Sequence, residues 1–136
     1  MKILFVTSVV MLLVACGSNS SNPIIGTTKR VGNIKVAEKD FPNRMNWDEA
    51  VAACAGLGGD WRLPTKEELN EIYLNRYLIG GFTKSSTNIY WSSTEYKDYN
   101  FINAWCQDFS TGSQVNLAGK NYPCYVRAVR MALNAN

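Results

Sequence analysis

The sequence contains no histidine. That absence excludes every Ser-His or Cys-His catalytic pair, the usual zinc sites and the ordinary side chain for acid–base work near neutral pH. There is no basic run either. The 14 Lys and Arg are scattered among 11 acidic residues for a formal net charge of +3, which excludes a phosphate-tracking nucleic-acid surface. Nor is any apolar stretch as long as the roughly 20 residues that a membrane-spanning helix needs. The longest, Ile3 to Val14, falls well short and carries Thr7 and Ser8.

That short stretch follows a single basic residue, Lys2, and ends at Ala15 and Cys16. This is the pattern of an export signal. Leu13-Val14-Ala15-Cys16, followed by Gly17, resembles the bacterial lipobox. The resemblance implies that Cys16 becomes the first mature residue and carries acyl chains, which anchor the protein to a membrane without a transmembrane helix. Gly17 in place of Asp after the cysteine points, by resemblance to bacterial sorting rules, to the outer membrane. The polar run Gly17 to Pro23 has the composition of a flexible tether. The expected organisation is a signal over residues 1–15, a lipid-anchored tether over 16–30 and one domain over 31–133.

Export places Cys54, Cys106 and Cys124 in an oxidising compartment, so one bridged pair and one remaining thiol are expected. Cys106 and Cys124 fall on neighbouring candidate strands, and Cys54 on a candidate helix that could cover either. A catalytic thiol would have no histidine to activate it.

Within the domain, Val31 to Val36 alternates apolar and other residues and reads as a half-buried strand. Asn46 stands three residues before Glu49, the spacing of a capping box. The stripe Trp47, Ala50, Val51 and Cys54 predicts a helix ended by Gly56, Gly58 and Gly59. Thr65 and Glu68 form a second box, and Leu69, Ile72, Tyr73 and Tyr77 continue it, so a second helix is expected over roughly 66 to 77. From Tyr90 onward come short aromatic and β-branched runs: Tyr90 to Thr94, Ala104 to Phe109, Gln114 to Leu117 and Tyr125 to Arg130. Ser110-Thr-Gly112 reads as a hairpin turn. The plan is α+β, two helices packed on a small twisted antiparallel sheet.

Three stretches stand together in order: Met45 to Ala50 with Cys54; Asp60-Trp-Arg-Leu-Pro-Thr-Lys-Glu-Glu-Leu69; and Tyr90-Trp-Ser-Ser-Thr-Glu95 with Tyr125 to Arg130. From about Val31 to Met131 the chain resembles the domain of unknown function 1566 family, and is similar to the C-terminal domain of a bacterial collagen-like adhesin. The resemblance implies a C-type-lectin-like fold of the formylglycine-generating-enzyme branch. That fold hosts enzymes, lectins, adhesins and variable receptors alike, so it does not by itself assign a function. Read by their chemistry, the motif residues Trp47, Trp61, Arg62, Pro64, Trp91, Trp105, Arg127 and Arg130 are structural. The tryptophans suit anchors between helices and sheet, and the arginines suit pairs with Glu68, Glu95 or Asp108.

Departures from the relatives narrow the function. The Glu-Pro-Asn, Gln-Pro-Asp and Trp-Asn-Asp stretches of calcium-dependent lectins are all missing, so no metal or other cofactor is expected. Cys124 alone does not reproduce the reactive cysteines of formylglycine-generating enzymes. The resemblance also implies a cysteine where Ala128 stands, bridged to the equivalent of Cys54. Its absence leaves Cys54–Cys124 and Cys106–Cys124 as competing pairs.

One segment is rich in Tyr and Asn: Tyr96, Tyr99, Asn100, Phe101, Asn103, Gln107, Asn116, Asn121 and Tyr122, with Lys97 and Lys120 among them. Such a composition gives broad contact area and adaptable hydrogen bonding, as recognition loops do. These nine residues are the candidate ligand face. In composition and position they also resemble lipid-anchored, lectin-like proteins diversified by retroelements. The expected function is non-catalytic binding of a glycan or protein at the cell envelope, with no nucleic-acid partner. Two alternatives stand beside it: an enzyme in which Arg62, Glu95 and Asp108 converge, and a structural envelope lipoprotein; a functional reading of the motif would have Arg62, Glu95 and Arg127 line a polar site.

Overall fold

The computed structural model describes residues 22–97, 103–116 and 119–134. The alternating stretch at its start is a hairpin, not one strand. β1 (Lys29–Val31) and β2 (Ile34–Val36) pair antiparallel around Gly32-Asn33, with Val31 opposite Ile34. Gly32 takes φ +51, the left-handed value that a two-residue turn with Gly first requires. The hairpin puts Val31, Ile34 and Val36 together in the core. β6 (Val129–Met131) closes this sheet against β2, in the order β1-β2-β6.

Both capping boxes form. α1 (Trp47–Ala55) starts where the Asn46 side chain accepts from the Glu49 N–H at 2.9 Å and Glu49 accepts from the Asn46 N–H. α2 (Lys66–Leu74) starts in the same way at Thr65 and Glu68. The expected second helix does not run unbroken to Tyr77. Asn75 leaves the helical region, its side-chain amide donates to the Glu71 carbonyl at 2.8 Å, and a separate turn, α3 (Arg76–Ile79), follows. An Asn side chain competing for backbone groups is the physical reason.

β3 (Ile89–Tyr96), β4 (Asn103–Asp108) and β5 (Gln114–Val115) make a second sheet in that order. The β4–β5 turn passes through Gly112 at φ +83, packed so tightly that a Cβ there would lie 2.6 Å from the Tyr73 ring. The expected strand from Tyr125 to Arg130 forms a ladder only at its end. Its earlier residues lie between the sheets and bond to both sides. Tyr125 exchanges hydrogen bonds with Trp91 and Ile89, while Val126 and Ala128 accept from Phe41 and Ala37. Two sheets joined by this segment therefore replace the single sheet expected.

The Trp-Ser-Ser-Thr stretch is a bulge. Pairing shifts between Trp91 and Glu95, so Ser92, Ser93 and Thr94 stand against Trp105 alone. The freed polar groups dock the other motif: Ser93 N–H donates to the Pro64 carbonyl at 2.8 Å and Lys66 N–H to Thr94 Oγ1 at 2.9 Å. Trp91 and Trp47 donate their ring N–H groups to the Met45 and Ser92 carbonyls. These contacts tie helices to sheet.

Two apolar clusters result. One joins Ala50, Cys54, Trp61, Leu63, Trp91, Cys106, Cys124 and Val126; the other joins Val36, Leu69, Ile72, Tyr90, Phe109 and Val129. Ile24 and Ile25 pack on the first, and their carbonyls accept from Lys39 and Glu38, so residues before 31 contribute to the packing. All of these residues lie C-terminal to Gly17, so a chain starting there carries both described clusters. No helix among the described residues is long and apolar enough to cross a membrane.

None of Cys54, Cys106 and Cys124 is in a disulfide, although one bridge was expected. All three are buried. Cys106 Sγ donates to the Val115 carbonyl at 3.2 Å, and the Cys124 thiol is hydrogen-bonded to that of Cys106. Burial pushes the Cys54 thiol up to about 12, and the Cys106 contact together with burial pushes Cys124 up as well, so neither is a ready thiolate.

Candidate functional site

The bulge sends the end of β3 out of the core, and this is where the candidate face is built. Tyr96 ends β3 and pairs with Asn103 at the start of β4; Asn103 in turn bridges to Gly119. These pairings bring Tyr96, Asn103 and the loop carrying Asn121 and Tyr122 to one end of the second sheet. Asn121 and Tyr122 are exposed, Tyr122 at 48%. Asn116 follows β5 and is half-buried. Tyr99, Asn100 and Phe101 lie outside the described residues.

Gln107 does not belong to this face. It is fully buried, and its amide donates to Asn70 Oδ1 at 2.9 Å and to the Gly112 carbonyl at 3.1 Å, fastening β4 to α2 and to the turn.

Two cation–aromatic pairs flank the face. Lys66 Nζ lies 3.5 Å from the centroid of the half-buried Trp105 ring, and Tyr96 meets the same ring edge-on at 5.6 Å. Lys120 Nζ lies 4.4 Å from the Trp47 ring centroid and pairs with Glu95 at 2.7 Å. Ammonium groups held over indole rings keep N–H donors beside aromatic groups that are only half-buried. Lys66 was missed in the sequence because it looks like an ordinary first-turn residue after the Thr65 cap, and nothing local ties it to Trp105.

The polar constellation of the enzyme alternative does not assemble. Arg62 forms a two-pronged pair with Glu68, at 2.7 and 2.8 Å. Burial works against the Glu68 carboxylate, but Arg62 and the Thr65 N–H outweigh it and hold the group below the usual range. Glu95 is taken by Lys120, and Asp108 accepts from Ser110 in its own turn. Arg130 stacks on Trp61 at 5.2 Å.

Arg127, expected to pair with one of three other acids, is instead paired with Asp40 at 2.7 Å in the interior. Tyr90 Oη donates to the second Asp40 oxygen at 2.7 Å, and Arg127 Nη1 donates to the Ala37 and Gly80 carbonyls. Burial raises the Asp40 carboxyl despite the Arg127 charge, and it raises the Tyr90 hydroxyl. Among the described residues no group of His, Cys, Asp and Glu is arranged to hold a metal ion.

A family model described as the Lcl C-terminal domain matches residues 24–130. The chain belongs to the Lcl C-terminal domain family. The match runs from the Ile24 contact into β6. No curated protein matches the chain. Among solved structures, this Lcl C-terminal domain is similar to the crystal structure of botrocetin, with a TM-score of 0.54 and 12% identity over 77% of this chain and 96% of that one. It is also similar to a chain in the complex of botrocetin with the von Willebrand factor mutant (I546V) A1 domain, with a TM-score of 0.52 and 11% identity, again over 77% and 96%. At that identity the likeness shows the fold, which is C-type-lectin-like.

Proposed function

We propose that this domain is a non-catalytic binding module of a bacterial cell envelope, tethered by acyl chains on Cys16. Its ligand, a glycan or a protein, docks on the end of the second sheet where Tyr96, Trp105, Lys66, Trp47 and Lys120 meet the Asn121–Tyr122 loop. The carrying observation is the pair of lysines seated over indole rings at that open end. Flat aromatic surface with adjacent donors suits sugar rings and polar protein surfaces alike, at small entropic cost. The failure of Arg62, Glu95, Asp108 and Arg127 to converge favours binding over catalysis. Outer-membrane placement rests on the lipobox resemblance and Gly17 alone.

The test is a glycan and glycosaminoglycan array, together with cross-linking on intact cells, probed with the chain from Gly17 onward and with Tyr99→Ala/Tyr122→Ala. Binding is expected to vanish in the double variant while its melting temperature stays nearly unchanged. A loss of folding would assign those tyrosines to the core. Binding that survives in the variant would move the ligand site elsewhere. Growth of the native chain with a labelled fatty acid should label the wild type and not Cys16→Ser.

A further inference from the structure

A second site lies away from that face, between α3 and the segment leading into β3. It is a half-open cleft of about 310 Å³, within the range of small-ligand sites. Gly80 and Gly81 line it in left-handed conformations, at φ +74 and +72. Gly81 has a second constraint, because a Cβ would fall 2.7 Å from the Glu38 carbonyl. The side walls are the rings of Tyr77, Phe82 and Phe109.

Three features say what the cleft is built to hold. Asn88 lines it, is 8% exposed, and its Oδ1 has no hydrogen-bond partner. Such a buried acceptor calls for a donor. Arg76 and Lys84 supply two cations, and no carboxylate lies among the lining residues. Arg76 is fixed in place by its bond to the Tyr73 carbonyl at 2.8 Å and by stacking on Tyr73 and Tyr77, at 4.1 and 4.4 Å. Finally, the apolar wall reaches solvent at Tyr77, which lines the cleft and is 85% exposed.

A ligand meeting all three carries a carboxylate, an N–H or O–H donor and an apolar group. We propose that the cleft binds the carboxy-terminal end of a peptide whose last residue is apolar. The terminal carboxylate faces Lys84 and Arg76, a backbone N–H donates to Asn88 Oδ1, and the last side chain packs between Tyr77 and the rings of Phe82 and Phe109. A sugar acid shares the carboxylate and donor, but its hydroxyls would lie unpaired against those rings.

An amide NMR titration of the chain from Gly17, with N-acetyl-L-leucine as probe, tests this. Saturable shifts are expected at Gly80, Gly81 and Thr83. N-acetyl-L-leucinamide, which lacks the charge, should bind about tenfold more weakly. Lys84→Gln should weaken the acid about as much and the amide little. Lys84 and Tyr77 are exposed, so Lys84→Gln and Tyr77→Ser keep the fold even if Asn88→Ala does not. Tyr99→Ala/Tyr122→Ala should leave these shifts intact, whatever becomes of the other face. Equal affinity for acid and amide, shifts centred on Tyr96 and Asn103, tighter binding of D-glucuronate, or no saturable shift would each overturn the assignment.

Discussion

Two places in this molecule use the same three groups in opposite ways. In the interior, Arg127 pairs with Asp40 and lies 4.0 Å from the Phe82 ring centroid. At the open end of the second sheet, Lys120 pairs with Glu95 and lies 4.4 Å from the Trp47 ring centroid. Side-chain exposure is 0% and 12% for the first pair, against 20% and 45% for the second. A desolvated charge needs close partners, and Arg, with its fixed fork of donors, reaches three at once. A solvated lysine pair costs little to rearrange, so it can exchange its partner for a ligand. The same cation, ring and carboxylate thus make a buried clamp in one setting and a solvated, exchangeable pair in the other, which is where we propose that a ligand docks.

Asp40→Ala should have the largest effect. Removing the acid leaves the Arg127 guanidinium buried without its counter-charge, and Arg127 Nη2 already lacks a partner. A loss of about 3–5 kcal/mol is expected, read from the urea midpoint. Tyr90→Phe removes one hydrogen bond to Asp40 but keeps the ring, so its loss should be nearer 1–2 kcal/mol. An Asp40→Ala effect as small as that of Tyr90→Phe would show that the interior pair is not a clamp.

Neither region was legible in the sequence to the same degree. Both capping boxes were, because a cap and its partner stand three residues apart and the signal is local. The Gly112 turn and the main strands were legible for the same reason. The Val31–Val36 hairpin was misread although its signal was present: Gly32-Asn33 interrupts the alternation with two non-apolar residues, as a two-residue turn does. The Asp40–Arg127 clamp joins residues 87 apart, and its acid was not among the expected partners. Gln107 looked like a surface strand residue because its partner, Asn70, sits on the next layer and leaves no trace in the local pattern. Composition drew attention to Tyr96, Asn103, Asn121 and Tyr122 but not to Lys66, whose contact depends wholly on where Trp105 comes to rest.

Between the extremes lies Arg62–Glu68, partly exposed, which turns the comparison into a pH dependence. The folded Glu68 carboxyl sits below its ordinary value. The stability it contributes is therefore complete above the unfolded carboxylate range and is lost as pH falls through the folded value. Glu68→Gln should flatten that acid limb and cost about 1 kcal/mol at neutral pH, part of it from the capping contact to Thr65. Asp40 has the opposite sign. Its raised carboxyl makes stability fall as pH rises from the ordinary Asp range through the folded value, so Asp40→Asn should steepen the net acid-side loss.

The smallest stability effect belongs to Glu95→Gln. With this carboxylate 45% exposed, losing its pair with Lys120 should change stability by less than about 0.5 kcal/mol, less still in high salt. Lys120 would stay over Trp47, because its backbone carbonyl holds the Trp47 N–H at 2.8 Å and fixes the two residues side by side. The substitution therefore leaves the fold alone and removes only the group that would compete with the proposed ligand for Lys120. Affinity for an acidic or hydroxyl-rich ligand at this face should rise in Glu95→Gln and fall in Lys120→Met, with both melting curves superimposable on the wild type. If instead Glu95→Gln destabilised the chain as much as Glu68→Gln, the open end would be part of the scaffold, and the distinction between clamp and binding surface would fail there.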